Sequence, residues 1–322
     1  MGKLTRRDVI KGIAGTAGYL ALLSPPAGAR SARHIPIGLE AYTLGSDGLR
    51  SDLSGTLQTV RQMGYETIEM GPSIPGHSAK DVRQALDQAG LRAPSIMVPM
   101  EPYLPGMLSL AETAPVLDAL RVLGAQYASV PMFPYPPRDK ALEVNDELLD
   151  YITKVARDKT EADWRKVASS LNDKSRELSR EGFKLCYHNH SVEFGPLPSG
   201  KTPYDILLAE TDPKSVHYEM DVGWVMAAGV DPLELLKKHR DRFALLHLKD
   251  AGEMAPNTSL RITSARLGTG VGKWEPFLKE VVTNSNVQYV YVEQEPPYVP
   301  SRIEAARESY AYLKSVMDKV ER

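Results

Sequence analysis

The segment from Lys184 to Phe194 reads KLCYHNHSVEF and places two histidines one residue apart at the end of an apolar run. On a strand, successive side chains alternate, so His188 and His190 would face one way and Asn189 the other. Such a pair can ligate a cation or carry a proton. A buried histidine hydrogen-bonded within a core is the commoner case, so the pair needs partners from elsewhere in the chain. Three later apolar runs supply them: Asp221 in EMDVGW, His247 in LHLKD and Glu293 in VEQE. Taken singly, Asp221 could cap a turn, His247 could be a core histidine and Glu293 could pair with a lysine. Four such groups at the ends of four consecutive runs are harder to attribute to chance. Their nitrogen and carboxylate donors suit a borderline divalent cation: manganese, cobalt, zinc or iron(II).

These residues need a scaffold that brings strand ends to one rim. Short β-rich runs occur at 35–44, 66–71, 92–100, 126–133, 183–190, 216–224, 243–250 and 287–295. Between them, 52–63, 79–89, 109–123, 144–180, 203–209, 232–239, 274–283 and 302–318 carry helical spacing. Eight strand-helix units in one chain predict a single (β/α)₈ barrel over residues 30–322, with functional groups at the C-terminal ends of the strands. A doubly wound sheet is the competitor, but LEAYTLG after the first strand is no G-x-G-x-x-G fingerprint. The charged stretch 144–180, with Trp164 in it, reads as one or two solvated helices outside the barrel. The proline-rich PMFPYPPR (131–138) reads as an ordered loop over the barrel mouth.

The first 29 residues read as an export signal of the twin-arginine type: Arg6 and Arg7, a short apolar run from Ile13 to Leu23, and small residues before a cut after Ala29. That run is too short and glycine-rich to span a bilayer, and no stable membrane anchoring is expected. A periplasmic or secreted location follows from this expectation, as does export in the folded state, which suits a metalloprotein. Removal of residues 1–29 would move the formal charge from −2 to −5. So acidic a chain has no evident affinity for nucleic acid. The single cysteine, Cys186, excludes an intramolecular disulfide.

In this order and spacing, YHNHSVEF, EMDVGWVMAAGVDP, LLHLKD, LGTGVGKW and YVEQE resemble the sugar phosphate isomerase/epimerase group of xylose-isomerase-like barrels. The resemblance covers nearly everything after the signal. It implies one divalent metal ion, Mn²⁺ or Co²⁺ first, with Zn²⁺ or Fe²⁺ as alternatives. Of the family's Glu-Asp-His-Glu ligand set, the last three carry over to Asp221, His247 and Glu293, while His188 stands where the first glutamate is usual. In epimerases of the group, that glutamate and the last one face each other across the sugar and exchange a proton. Its replacement by histidine removes half of the symmetry. The stretch also resembles inositol-ketone dehydratases and the lyases and hydratases of 3-keto sugars.

The resemblance therefore implies proton abstraction next to a ketone and elimination or hydration on a keto-sugar, through an enediolate stabilised by the metal. The residues expected to act are His190, Glu293 and Lys249, with Glu40, Glu69, Trp224 and Arg266 as substrate contacts. Trp224 would offer a flat apolar face to the sugar ring. Lys249 could equally be an ordinary ion-pair partner. The expected partner is a small carbohydrate, with an upstream sugar oxidoreductase as one source of its ketone. A sugar isomerase or epimerase is the first alternative and a non-catalytic carbohydrate-binding barrel the second. A DNA-cleaving relative would need more metal ligands and a basic surface.

Overall fold

The computed structural model describes residues 33–71, 74, 76–103, 106–136 and 146–322. The expected export signal lies outside them. Eight parallel strands form the interior: β1 (Ile37–Glu40), β2 (Thr67–Glu69), β3 (Ser95–Met97), β4 (Tyr127–Val130), β5 (Lys184–His188), β6 (Val216–Asp221), β7 (Phe243–Leu248) and β8 (Tyr289–Val292). Pairing runs in the order β2-β1-β8-β7-β6-β5-β4-β3. At the seam, Met97 N donates to Met70 O (2.8 Å) and Ile68 N to Arg92 O (2.9 Å), so the ring is nearly closed. The expected (β/α)₈ barrel is thus the observed one.

Local chemistry explains the alternation. β7, FALLHL, is buried at every position, as a parallel strand covered on both faces should be. Several of the surrounding helices begin at side-chain caps, and Leu53–Met63, Ala79–Ala89 and Thr113–Leu123 stop at glycine. Ser78 and Asp81 form a capping box on the helix Ala79–Ala89, which ends at Gly90 with φ of +69°. Two helices occupy the long charged stretch, Asp146–Asp158 and Glu161–Arg180, separated where Thr160 caps the second. Trp164 is not solvated. It is fully buried, edge to face with Phe133 at 5.1 Å, because Trp164, Val167, Leu171 and Leu178 form one helical stripe. Residues 131–136 run as a loop beside the barrel mouth, as expected. No helix among the described residues is long and apolar enough to cross a membrane.

After β7 the chain is tied down by Asp250. Its buried carboxylate accepts from the backbone N–H groups of Gly268 (2.9 Å), Gly270 (3.1 Å) and Gly272 (3.0 Å) and from Trp274 Nε1 (3.0 Å). This explains the glycines of LGTGVG. A Cβ at Gly270 would stand 2.2 Å from Ala251 O and 2.4 Å from the carboxylate itself. Asp250→Ala is expected to cost about 2–4 kcal/mol, since several donors lose one shared acceptor. Chemical denaturation checks this, and an unchanged midpoint would contradict it.

Candidate metal centre and catalytic cleft

β5 ends at His188, and Asn189 then fastens the turn to β6: its amide donates to Asp221 O (3.3 Å) and its oxygen accepts from Asp221 N (3.2 Å). His190 is therefore not on the strand. It lies beyond the bend, yet its ring still faces the mouth, 5.1 Å from the His188 ring and 5.3 Å from that of Trp224. Asp221 closes β6 and caps the short helix Val222–Ala227, with Oδ1 accepting from Trp224 N at 3.0 Å. That leaves Oδ2 pointing into the centre. His247 is the inward residue near the end of β7, and Glu293 follows β8 directly.

Ligand atoms of His188, Asp221, His247 and Glu293 all lie within 4.8 Å of one another, and all four residues are buried. Asp221 Oδ2 is buried without a well-directed hydrogen bond, although Lys249 Nζ stands 3.0 Å away. Both imidazoles are oriented from behind. His188 Nδ1 meets Glu219 Oε2 at 3.2 Å and its Nε2 lies 3.8 Å from Asp221 Oδ2. His247 Nε2 meets Glu69 Oε2 at 2.6 Å and Glu219 Oε1 at 3.3 Å, while Nδ1 meets Glu293 Oε2 at 2.6 Å. A carboxylate behind each histidine is the arrangement that fixes the ring of a metal ligand. Two nitrogens and two carboxylates, so backed, fit a divalent cation.

Electrostatics agree with a cation-seeking centre. Burial opposes charge on Glu293, but Lys249 and His247 outweigh it and hold its carboxyl well below the usual range. Burial likewise opposes charge on His247, yet Glu219 and Glu69 hold the imidazole well above its ordinary value. Ligation through this ring would therefore release a proton. Lys249 is buried with Nζ 3.0 Å from Asp221, 3.0 Å from Glu293 and 2.8 Å from Glu295. Despite desolvation, these carboxylates keep its ammonium well above the ordinary lysine value. His190 behaves oppositely: burial first, then the cationic neighbours, push it well below the ordinary range. The ring is thus held neutral, with Nδ1 buried and lacking a hydrogen bond.

A cleft of about 360 Å³ opens beside this centre, and Glu40, Trp224, His188, His190 and Glu293 line it. Two expected substrate contacts do not reach it. Glu69 is fully buried beneath, bonded to His247, because strand alternation fixes which face a side chain takes but not its depth in the barrel. Arg266 turns outward to an ion pair with Glu308 on the last helix. Conversely, Glu219 and Glu295 were not anticipated. The signal for Glu219 was present in HYEMD, where it lies two residues before Asp221 and so on the same face.

The model of the xylose isomerase-like TIM barrel family matches residues 57–316. Inosose dehydratase of Geobacillus kaustophilus (strain HTA426) is 25% identical over 289 residues, covering 83% of this chain and 85% of the relative. Among solved structures, a sugar phosphate isomerase/epimerase from Parabacteroides distasonis superposes with a TM-score of 0.67 at 24% identity, covering 87% of this chain and 98% of that one. The 3-keto-D-glucoside 4-epimerase of E. coli gives 0.58 at 16% identity, covering 88% and 100%. With its barrel, its buried quartet and this match over most of its length, the chain belongs to the xylose isomerase-like TIM barrel family.

Proposed function

We propose that the protein is a divalent-metal-dependent lyase or hydratase that acts on a keto-sugar of the 3-keto-glycoside type. The observation that carries this reading is the buried His188–Asp221–His247–Glu293 quartet opening on a cleft that also holds the neutral ring of His190. The dehydratase name of the 25%-identical relative supports it. Manganese or cobalt suits the donor set best, with zinc or iron(II) as alternatives.

A divalent cation in the quartet would stabilise the negative oxygen that develops when a proton leaves the carbon beside a ketone, a contribution of several kcal/mol. The remaining work falls to side chains. His190, neutral and facing the cleft, takes the proton from C2. The electron pair left behind forms the C1–C2 double bond as the C1–oxygen bond breaks, and the same imidazole can return its proton to the departing oxygen. Lys249 holds Asp221 and Glu293 in register and polarises oxygen at the centre. Trp224 presents its ring to the sugar face. Epimerisation would need a second proton carrier across the ring. At the strand-five position His188 stands instead, with Nδ1 engaged by Glu219.

Incubation with a 3-keto-glucoside in deuterated water tests the reading. The expected products are free aglycone and an unsaturated keto-sugar. Recovery of intact, deuterated glycoside of altered configuration would replace the lyase reading by the epimerase one. Binding with no turnover in metal-loaded protein would favour a carbohydrate-binding barrel.

A further inference from the structure

The cleft is larger and more apolar than a sugar ring requires. Its carboxylates and imidazoles come from strand ends: Glu40 closes β1, His188 closes β5 with His190 just beyond it, and Glu293 and Glu295 follow β8. The rest comes from elements laid over the mouth. Tyr103 and Tyr135 follow β3 and β4, Leu149 and Ile152 project from the helix Asp146–Asp158, and Leu260 belongs to the loop after β7. A polyol gains little against such a wall. Each hydroxyl buried there without a partner would cost about 1–3 kcal/mol.

The wall is also built to stay in place. The rings of Tyr103 and Tyr135 stack at 4.9 Å and 11°. Phe133 backs Tyr135 at 6.3 Å, and Trp164 backs Phe133 at 5.1 Å. The helix is an addition to the one-strand, one-helix repeat, since a second helix, Glu161–Arg180, already connects to β5. It is held over the mouth by Arg261, which pairs with Asp146 and Asp150, and by Leu260 N donating to Thr153 Oγ1 at 3.1 Å. Tyr103, Tyr135 and Leu149 are only half-buried, so they form a surface of the cleft and not part of the core. At about 360 Å³ the space falls within the ~300–1,000 Å³ typical of clefts that enclose a whole small molecule.

We propose that the substrate is a glycoside with a planar aromatic aglycone, seated between the Tyr103–Tyr135 pair and the helix Asp146–Asp158 while the sugar faces the quartet. This assignment of substrate class rests on the keto-glycoside reading of the site.

Calorimetric titration of the full chain with methyl β-glucoside and 2-naphthyl β-glucoside tests the aglycone subsite without requiring turnover. The naphthyl compound is expected to bind about 10- to 100-fold more tightly, as burial of an aromatic group predicts. Tyr135→Ala and Leu149→Asn should each remove most of that preference and leave the methyl glucoside unaffected, with thermal melting as the check on folding. Equal affinities for the two glucosides, no binding of either, or a preference that survives both substitutions would overturn the proposal. Turnover of the 3-keto forms is read separately. An aryl preference without elimination would refute the reaction and leave the subsite standing; elimination with no aryl preference would do the reverse.

Discussion

Asp221→Asn is expected to strip the divalent cation from the protein while leaving the barrel folded. The reasoning starts from the two oxygens of Asp221. Oδ1 accepts from Trp224 N at 3.0 Å and caps the helix Val222–Ala227, while Oδ2 faces the centre. Asparagine carries only one oxygen, so it can cap the helix or ligate, but not both. If it caps, the amide nitrogen faces the centre and cannot donate electron density to a cation. Asp221→Ala loses both functions and should add about 1 kcal/mol of destabilisation from the missing cap. The loss of metal affinity should exceed the ~10–100-fold typical of removing an outer-sphere partner. Glu219→Gln supplies that comparison, because Glu219 touches both histidines but belongs to the group behind them. Elemental analysis after dialysis, with a thermal melt alongside, reads all three variants. Full occupancy in folded Asp221→Asn would remove Asp221 from the ligand set.

The sequence exposed the barrel and the quartet for one reason: both are written in strand periodicity. Parallel strands buried on both faces appear as compact apolar runs, and the residue that ends each run must lie at the C-terminal rim. His188, Asp221, His247 and Glu293 were legible on that basis. What periodicity does not carry is depth along the barrel axis. Glu69 and Glu40 are register partners on adjacent strands, yet Glu40 lines the cleft while Glu69 lies below it against His247. Glu219 was overlooked for the same reason, since it shares the face of Asp221 one pleat further in. Arg266 is placed away from the cleft for another reason. Its loop is positioned by Asp250, sixteen residues earlier in the chain, and that long-range clamp turns the guanidinium outward. The apolar wall of the cleft was unreadable because Tyr103, Tyr135 and Leu149 come from three separate segments with no common period.

The two histidines of YHNH should fail in different ways when replaced. His188 has its Nδ1 on Glu219 at 3.2 Å, and Glu219 is itself fixed by Ser129 Oγ at 2.6 Å, so the ring is held with Nε2 toward Asp221. His190 has no such backing. Its ring rests against Trp224, its backbone N–H donates to Glu193 at 2.9 Å, and its Nδ1 has no hydrogen bond. A ring anchored by a carboxylate is suited to ligation, whereas a ring with an unpaired nitrogen beside the cleft is suited to moving a proton. His188→Ala should therefore lose bound metal and activity together. His190→Ala should retain stoichiometric metal and lose turnover by about 10²–10⁴-fold, the usual contribution of a general acid or base. Metal content and single-turnover rates on a 3-keto-glucoside separate the two cases. Because His190 accounts for proton transfer and not for substrate affinity, KM should change little in its variant while kcat falls. Equal metal loss in both variants would make His190 a ligand and leave the proton without a carrier. Retained turnover in His190→Ala would shift the base to another group on the rim, such as Glu40, a carboxyl outside the quartet that lines the same cleft.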